Sequence, residues 1–398
     1  MWVACAPGWP RSACRSEPRP CVTGRLSIAC LRDAPEGRRV RTMRLVAPLL
    51  TGVVLLVAGG GARAAYDEET FTHKSIPAYA IPTPARGAPP VDTVIGQVRP
   101  YRIRKGDTLI DLARYYDLGY NEIADANPGI DPWVPPVGAT ILLPTAWVLP
   151  CCTYDGIVVN IPEMRLFFYR RSPGDPHTTI VYTYPVGLGR DDWRTPSGKF
   201  RIRGKTVNPQ WNIPESIRQE HIKERGDPRK FIPGGDPENP LGKYRMELTL
   251  PLYGIHGTDI PWGVGMQVSH GCVRLYPEDI ERLFPLVPVG TPGEFTYQPV
   301  KVGTRGGTVY VEVHRDIYGY APALYREANV ALERAGLATR IERERLLAAL
   351  EDSSGIPMRI SPEPGEPAPA VTGPAPAAPT EVSHDGAPHP DQVQTGND

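Results

Sequence analysis

A chain of 398 residues is long enough for two or three domains that each bury their own core. Basic and acidic residues balance at 44 each, which removes the positive footprint expected of a nucleic-acid binder. Proline at 47 and glycine at 40 point to turn-rich β structure joined by extended segments, and away from a helical bundle.

Residues 1–42 carry four cysteines among many arginines and no hydrophobic periodicity, so they read as an upstream region outside the functional protein. At Met43 a basic residue is followed by an apolar run and the small-residue triplet Ala62-Arg63-Ala64. That order predicts a secretory signal peptide over 43–64, an exported protein, and a mature form without a membrane span. Cleavage after Ala64 would leave Cys151, Cys152 and Cys272. In an oxidising compartment an odd count leaves at least one thiol without an intrachain partner. Residues 65–98 are rich in Pro, Ala and Gly and read as an extended linker.

The segment 99–145 has short strands at its ends, YRIR and TILLP. Between them Asp107 is placed to cap a helix carrying Leu109, Leu112 and Tyr116 on one face, and a second short helix is predicted over Asn121–Asn127. The order is βααβ. From Gly156 the text becomes β-like: GIVVN, RLFFYR, TTIVYTYPVGLG, and GKFRIRGKTV with Phe200 and Ile202 alternating with charged residues. Residues 277–287 read as one helix with proline and acids in its first turn. Further strands are predicted to about His314 and helix over 319–352. The tail 353–398 has the composition of a disordered segment.

One stretch offers chemistry. IHGTDIPWGVGMQVSHGCVRL places His256, His270, Arg274 and the backbone around Gly271 near Cys272. A thiol becomes a nucleophile when its thiolate and the developing charge on a carbonyl are both stabilised, and these are groups of both kinds. The bland reading is a packed cysteine beside surface histidines. A zinc site of His256, His270 and Cys272 is a further alternative, disfavoured by the cation of Arg274 and the short ligand set.

The local spellings GDTL, ANPG and VGATILLP in 101–144 resemble the LysM module, which implies binding to glycans containing N-acetylglucosamine. The stretch around Cys272 resembles the catalytic motif of the L,D-transpeptidases of the YkuD family. Other landmarks that resemble it are YPVGLG at 184–189, TPSGKF at 195–200, NPQW at 208–211 and NPLGKY at 239–244. The pairing with LysM is similar to the Gram-negative periplasmic branch.

The resemblance implies a mainly β protein: a β-sandwich-like catalytic domain at 154–298, the βααβ module at 99–145 and a C-terminal helical extension at 299–352. It implies Cys272 as nucleophile and His256 as general base held by a backbone carbonyl near Gly257. Ser269 and Gly271 would shape the loop, His270 would be a catalytic candidate beside the nucleophile ranked below His256, and Arg274 would be an electrostatic partner for the thiolate or a substrate carboxylate. It also implies no cofactor and no metal, peptidoglycan stem peptides and glycan strands as partners, and a periplasmic location. The thiolate would attack the diaminopimelate carbonyl of a tetrapeptide stem, expel D-alanine, and pass the acyl group to an amine. That amine belongs to a second stem or to the lysine of an outer-membrane lipoprotein; water in its place gives a carboxypeptidase. A wall-binding scaffold without catalysis is the alternative of another class. The segment 208–243 is expected to border the substrate groove.

Overall fold

The computed structural model describes residues 66, 68–72, 74, 77–84, 92–151 and 153–363. The upstream region, the signal peptide and the tail beyond 363 lie outside these residues. No described helix is long and apolar enough to cross a membrane.

The catalytic core is mainly β. Nine strands form one sheet in the order Ala78–Pro82, Asp175–Pro185, Arg165–Ser172, Gly156–Asn160, Pro292–Thr296, Gly198–Val207, Tyr244–Leu248, Gly254–His256, Val273–Arg274. All neighbours run antiparallel except Pro292–Thr296 beside Gly156–Asn160 and the last pair. The long strand Gly198–Val207 pairs Pro292–Thr296 with its first half and Tyr244–Leu248 with its second, and its register shifts between Ile202 and Gly204. A register break of this kind bends a strand. The sheet therefore curls, and Ile157 and Leu166 from one half share a buried core with Leu248, Ile255 and Val273 from the other.

Strand alternation then decides where the LysM segment sits. Ile157, Val159, Leu166 and Phe168 point into the core just described, whereas Val158, Phe167 and Tyr169 point to the opposite face. That second face is covered by Leu109, Leu112, Leu118, Ile123 and Trp147. Each strand is buried on both sides, so the LysM segment shares a core with the catalytic sheet and does not hang from it. Charge crosses the junction too: the fully buried Arg165 makes a two-pronged bond to Glu122 at 2.8 Å on each arm.

Several sequence expectations are corrected locally. The cap of the first LysM helix, Leu109–Tyr115, is Thr108, whose hydroxyl accepts the Asp111 N–H at 3.0 Å. Asp107 instead closes the preceding turn, accepting the Arg104 N–H and the Tyr101 hydroxyl proton. The second helix is Tyr120–Asp125; Asn127 lies beyond it and ties its end to Leu142 in the last strand. The linker is not wholly a tether: Ala78–Pro82 pairs with Asp175–Pro185, and buried Lys74 is held by Asp117 and Asp279, each at 2.9 Å. Main-chain bonds and buried charge, neither visible in a Pro/Ala-rich composition, pin that segment.

The C-terminal extension is a hairpin, Val300–Arg305 and Thr308–Val313, packed with the helices Leu324–Ala335 and Arg343–Asp352. A third strand, Met358–Arg359, joins the hairpin, and Ile360 is fully buried. Residues 353–363 are thus folded, contrary to the disordered reading of the whole tail, because Met358 and Ile360 pack into that core and Met358–Arg359 pairs with the hairpin edge. Cys151 is disulfide-bonded and Cys272 is free.

Candidate active site

Three short strands bring the predicted residues together. Tyr244–Leu248, Gly254–His256 and Val273–Arg274 lie side by side, with Arg245 opposite His256 and His256 opposite Arg274. Side chains directly opposite one another share a face, and so do residues two apart in a strand. Arg245, His256 and Arg274 therefore lie on one face, and Cys272, just before the last strand, is close enough to feel both guanidinium charges, although His256 and Cys272 are sixteen positions apart in the chain.

His256 is 2% exposed, and its Nδ1 lies 2.7 Å from the Gly257 carbonyl oxygen. A carbonyl can only accept, so Nδ1 carries the proton and Nε2 is left as the basic nitrogen. Burial, with the Arg274 and Arg245 charges adding to it, pulls the imidazole down to about 3 against the Gly257 bond. The ring is neutral at pH 7. Burial pushes the Cys272 thiol above its ordinary value, while a backbone bond from Gly254 and the two guanidinium groups oppose that. The resting pair is a neutral thiol and a neutral imidazole.

The loop before the thiol is tightly built. Ser269 Oγ donates to the Cys272 carbonyl at 2.6 Å and accepts the Gly271 N–H at 3.1 Å. Thr195 Oγ donates to the Gly271 carbonyl at 2.9 Å. Gly271 adopts φ +98°, and a Cβ there would stand 2.7 Å from Tyr253 Cε1, so glycine is required on both counts. The Gly271 N–H is thus committed to Ser269. Of the loop's backbone donors named from the sequence, Cys272 N–H is the one left for a developing oxyanion.

His270 turns away from the pair. Its Nε2 lies 2.8 Å from Glu220 Oε2, and its ring meets the edge of Trp193. Glu220 is also bonded to Arg190 at 2.8 Å, which together with His270 holds its carboxyl down to about 2 against burial. Glu220 lies on the helix Glu215–Arg225, within the segment 208–243, so that segment is fastened to the loop carrying the thiol. A zinc triad of His256, His270 and Cys272 is not assembled. Among the described residues one group has metal-like donors, Glu163, Glu312 and His314. There Lys301 Nζ already bridges the two carboxylates, at 2.7 and 2.8 Å.

The segment 154–302 matches the L,D-transpeptidase catalytic domain (YkuD), and 101–144 matches the LysM domain. YbiS of Escherichia coli strain K12, a probable L,D-transpeptidase, is 35% identical over 294 residues, covering 71% of this chain and 92% of its own. This chain belongs to the L,D-transpeptidase family. Two more probable L,D-transpeptidases of the same strain are similar to the enzyme. ErfK/SrfK is 34% identical over 73% of this chain and 93% of its own, and YcfS is 31% identical over the same shares. The enzyme is an acyltransferase of peptidoglycan, and its LysM domain is a peptidoglycan-binding element.

Sequence reasoning missed several residues of the transpeptidase's site. Arg245, one position beyond the NPLGKY landmark and on a strand the sequence did not signal, sits beside His256. Thr195 and Tyr318 brace the loop, Tyr318 reaching in from the C-terminal extension to donate to Gly189 O at 2.7 Å. No local spacing signals residues brought in across the sheet.

Proposed function

We propose that Cys272 is the nucleophile and His256 the general base of this L,D-transpeptidase. The observation that carries this is the pairing of His256 with Arg274 across parallel strands, with a neutral imidazole whose proton is parked on Nδ1 by Gly257. As the thiol attacks the diaminopimelate carbonyl, its proton passes to His256 Nε2, and the carbonyl oxygen takes up charge beside the Cys272 N–H. Collapse of the tetrahedral species expels D-alanine, whose nitrogen takes the proton from His256. The incoming amine then attacks the thioester, losing its proton to the same nitrogen and restoring the thiol. Neutral partners suit this cycle, because a base held protonated could not start it.

The acceptor is a stem amine or the lysine of an outer-membrane lipoprotein, and the location is the periplasm, reached through the 43–64 signal. These rest on the leader pattern and on the family. The test uses residues 65–398, wild type and Cys272→Ala, with a disaccharide-tetrapeptide and a lysine-terminated lipoprotein peptide, followed by mass spectrometry. An adduct that has lost D-alanine, formed only with Cys272, is expected, and the product mass names the acceptor. Hydrolysis alone would make the enzyme a carboxypeptidase. Absence of any adduct on folded, reduced protein would refute the assignment and favour the wall-binding scaffold.

A further inference from the structure

We propose that Arg245, acting with Arg274, is a carboxylate clamp that binds a free carboxylate of the acyl donor beside Cys272. This rests on the reading of Cys272 as nucleophile. The two guanidinium groups flank His256 in one row across three strands. Neither forms an ion pair among the described residues, and the Nε atom of each is buried without a hydrogen-bond partner. The two buried arginines among the described residues are tied down: Arg165 and Arg114 are each held by carboxylates on two arms. Donors left idle in a buried setting are costly unless a ligand takes them up.

Gly254 gives Arg245 its path. A Cβ at Gly254 would stand 3.3 Å from Arg245 Nε, so the guanidinium crosses directly over that glycine, whose backbone is hydrogen-bonded to Cys272. The clamp therefore lies next to the sulfur. Asp259, the acid nearest Arg274 in charge terms, has one oxygen buried without a partner and forms no ion pair with either guanidinium among the described residues; burial pushes its carboxyl up while the Arg274 charge opposes that. The ligand that fits is an anion with two oxygens, because a guanidinium fork matches a carboxylate in geometry as well as in charge. The donor stem supplies two candidates near the reacting bond: the terminal carboxylate of D-alanine and the free carboxylate at the D-centre of diaminopimelate.

The experiment compares three disaccharide-tetrapeptides: the native acid, one with a C-terminal carboxamide, and one amidated at the diaminopimelate D-centre. Cys272 acylation rates are measured for wild type, Arg245→Gln and Arg245→Lys, with circular dichroism to establish folding. Wild type should prefer the native donor over one of the amides by roughly 10- to 100-fold, and that amide names the carboxylate read. In Arg245→Gln the preference should collapse toward one, with Arg245→Lys between. The pH profile of Cys272 alkylation by neutral iodoacetamide supplies a second readout. Because the Arg245 charge also favours the thiolate, Arg245→Gln should displace this profile upward; a displacement that comes with collapse of the acid-to-amide preference supports the clamp, whereas one that leaves the preference intact would assign Arg245 to the thiolate alone and overturn it. If Arg245→Gln fails to fold, the wild-type comparison still decides, since equal rates on all three donors refute the clamp. No acylation of wild type by any donor would instead defeat the nucleophile assignment.

Discussion

Replacing Glu122 with glutamine tests whether the LysM segment and the catalytic sheet are one cooperative unit. The carboxylate accepts four hydrogen bonds: two from Arg165 at 2.8 Å, one from the Gly119 N–H at 2.7 Å and one from Trp147 Nε1 at 2.9 Å. An amide in that place removes the charge and turns two donor hydrogens toward other donors. Arg165, whose side chain is 0% exposed, keeps Thr183 Oγ and the Asp117 carbonyl but loses its counter-ion. Breaking a buried pair by removing one partner costs about 3–5 kcal/mol. At roughly 2–4 °C per kcal/mol for a domain of this scale, Tm should fall by about 10 °C. Circular dichroism and tryptophan fluorescence should report one coincident transition, with donor acylation lost across it. A double variant, Glu122→Leu with Arg165→Met, should recover most of the loss, because an apolar pair removes both desolvated charges. A shift under about 2 °C, or a LysM transition separate from loss of acylation, would refute the shared-core argument.

Gly271→Ala should lower the acylation rate at least about tenfold while the fold survives, because a side chain at φ +98° strains the loop and meets Tyr253. Near-normal acylation by folded protein would show that the loop tolerates the change. His256 sets a pH dependence of stability. Its folded value, about 3, lies below the ordinary 6.5, so the unfolded chain takes up that proton first as pH falls. Stability from this group is full above pH 6.5 and is lost down to about pH 3, at most on the order of 5 kcal/mol. Denaturation of wild type and His256→Gln between pH 7 and pH 4 should give a steeper slope for wild type, and parallel curves would contradict the buried neutral imidazole.

The sequence by itself carried the chemistry, because the groups that make an acyl-transfer site sit in a short run. Ser269, His270, Gly271, Cys272 and Arg274 are contiguous or nearly so, and glycine at 271 is demanded by local backbone geometry. Strand periodicity likewise announced Phe200 and Ile202 as the buried face of a strand. The tertiary structure decided what depends on pairing across the sheet. It set Arg245 beside His256, turned His270 toward Glu220, and brought Tyr318 to the loop. It also decided that the LysM segment is fused to the sheet, since alternation tells which residues share a face but not what covers that face. Lys74 and Ala78–Pro82 show the same limit, because their order comes from partners that a local window does not announce: a buried carboxylate cluster and a sheet edge distant in sequence.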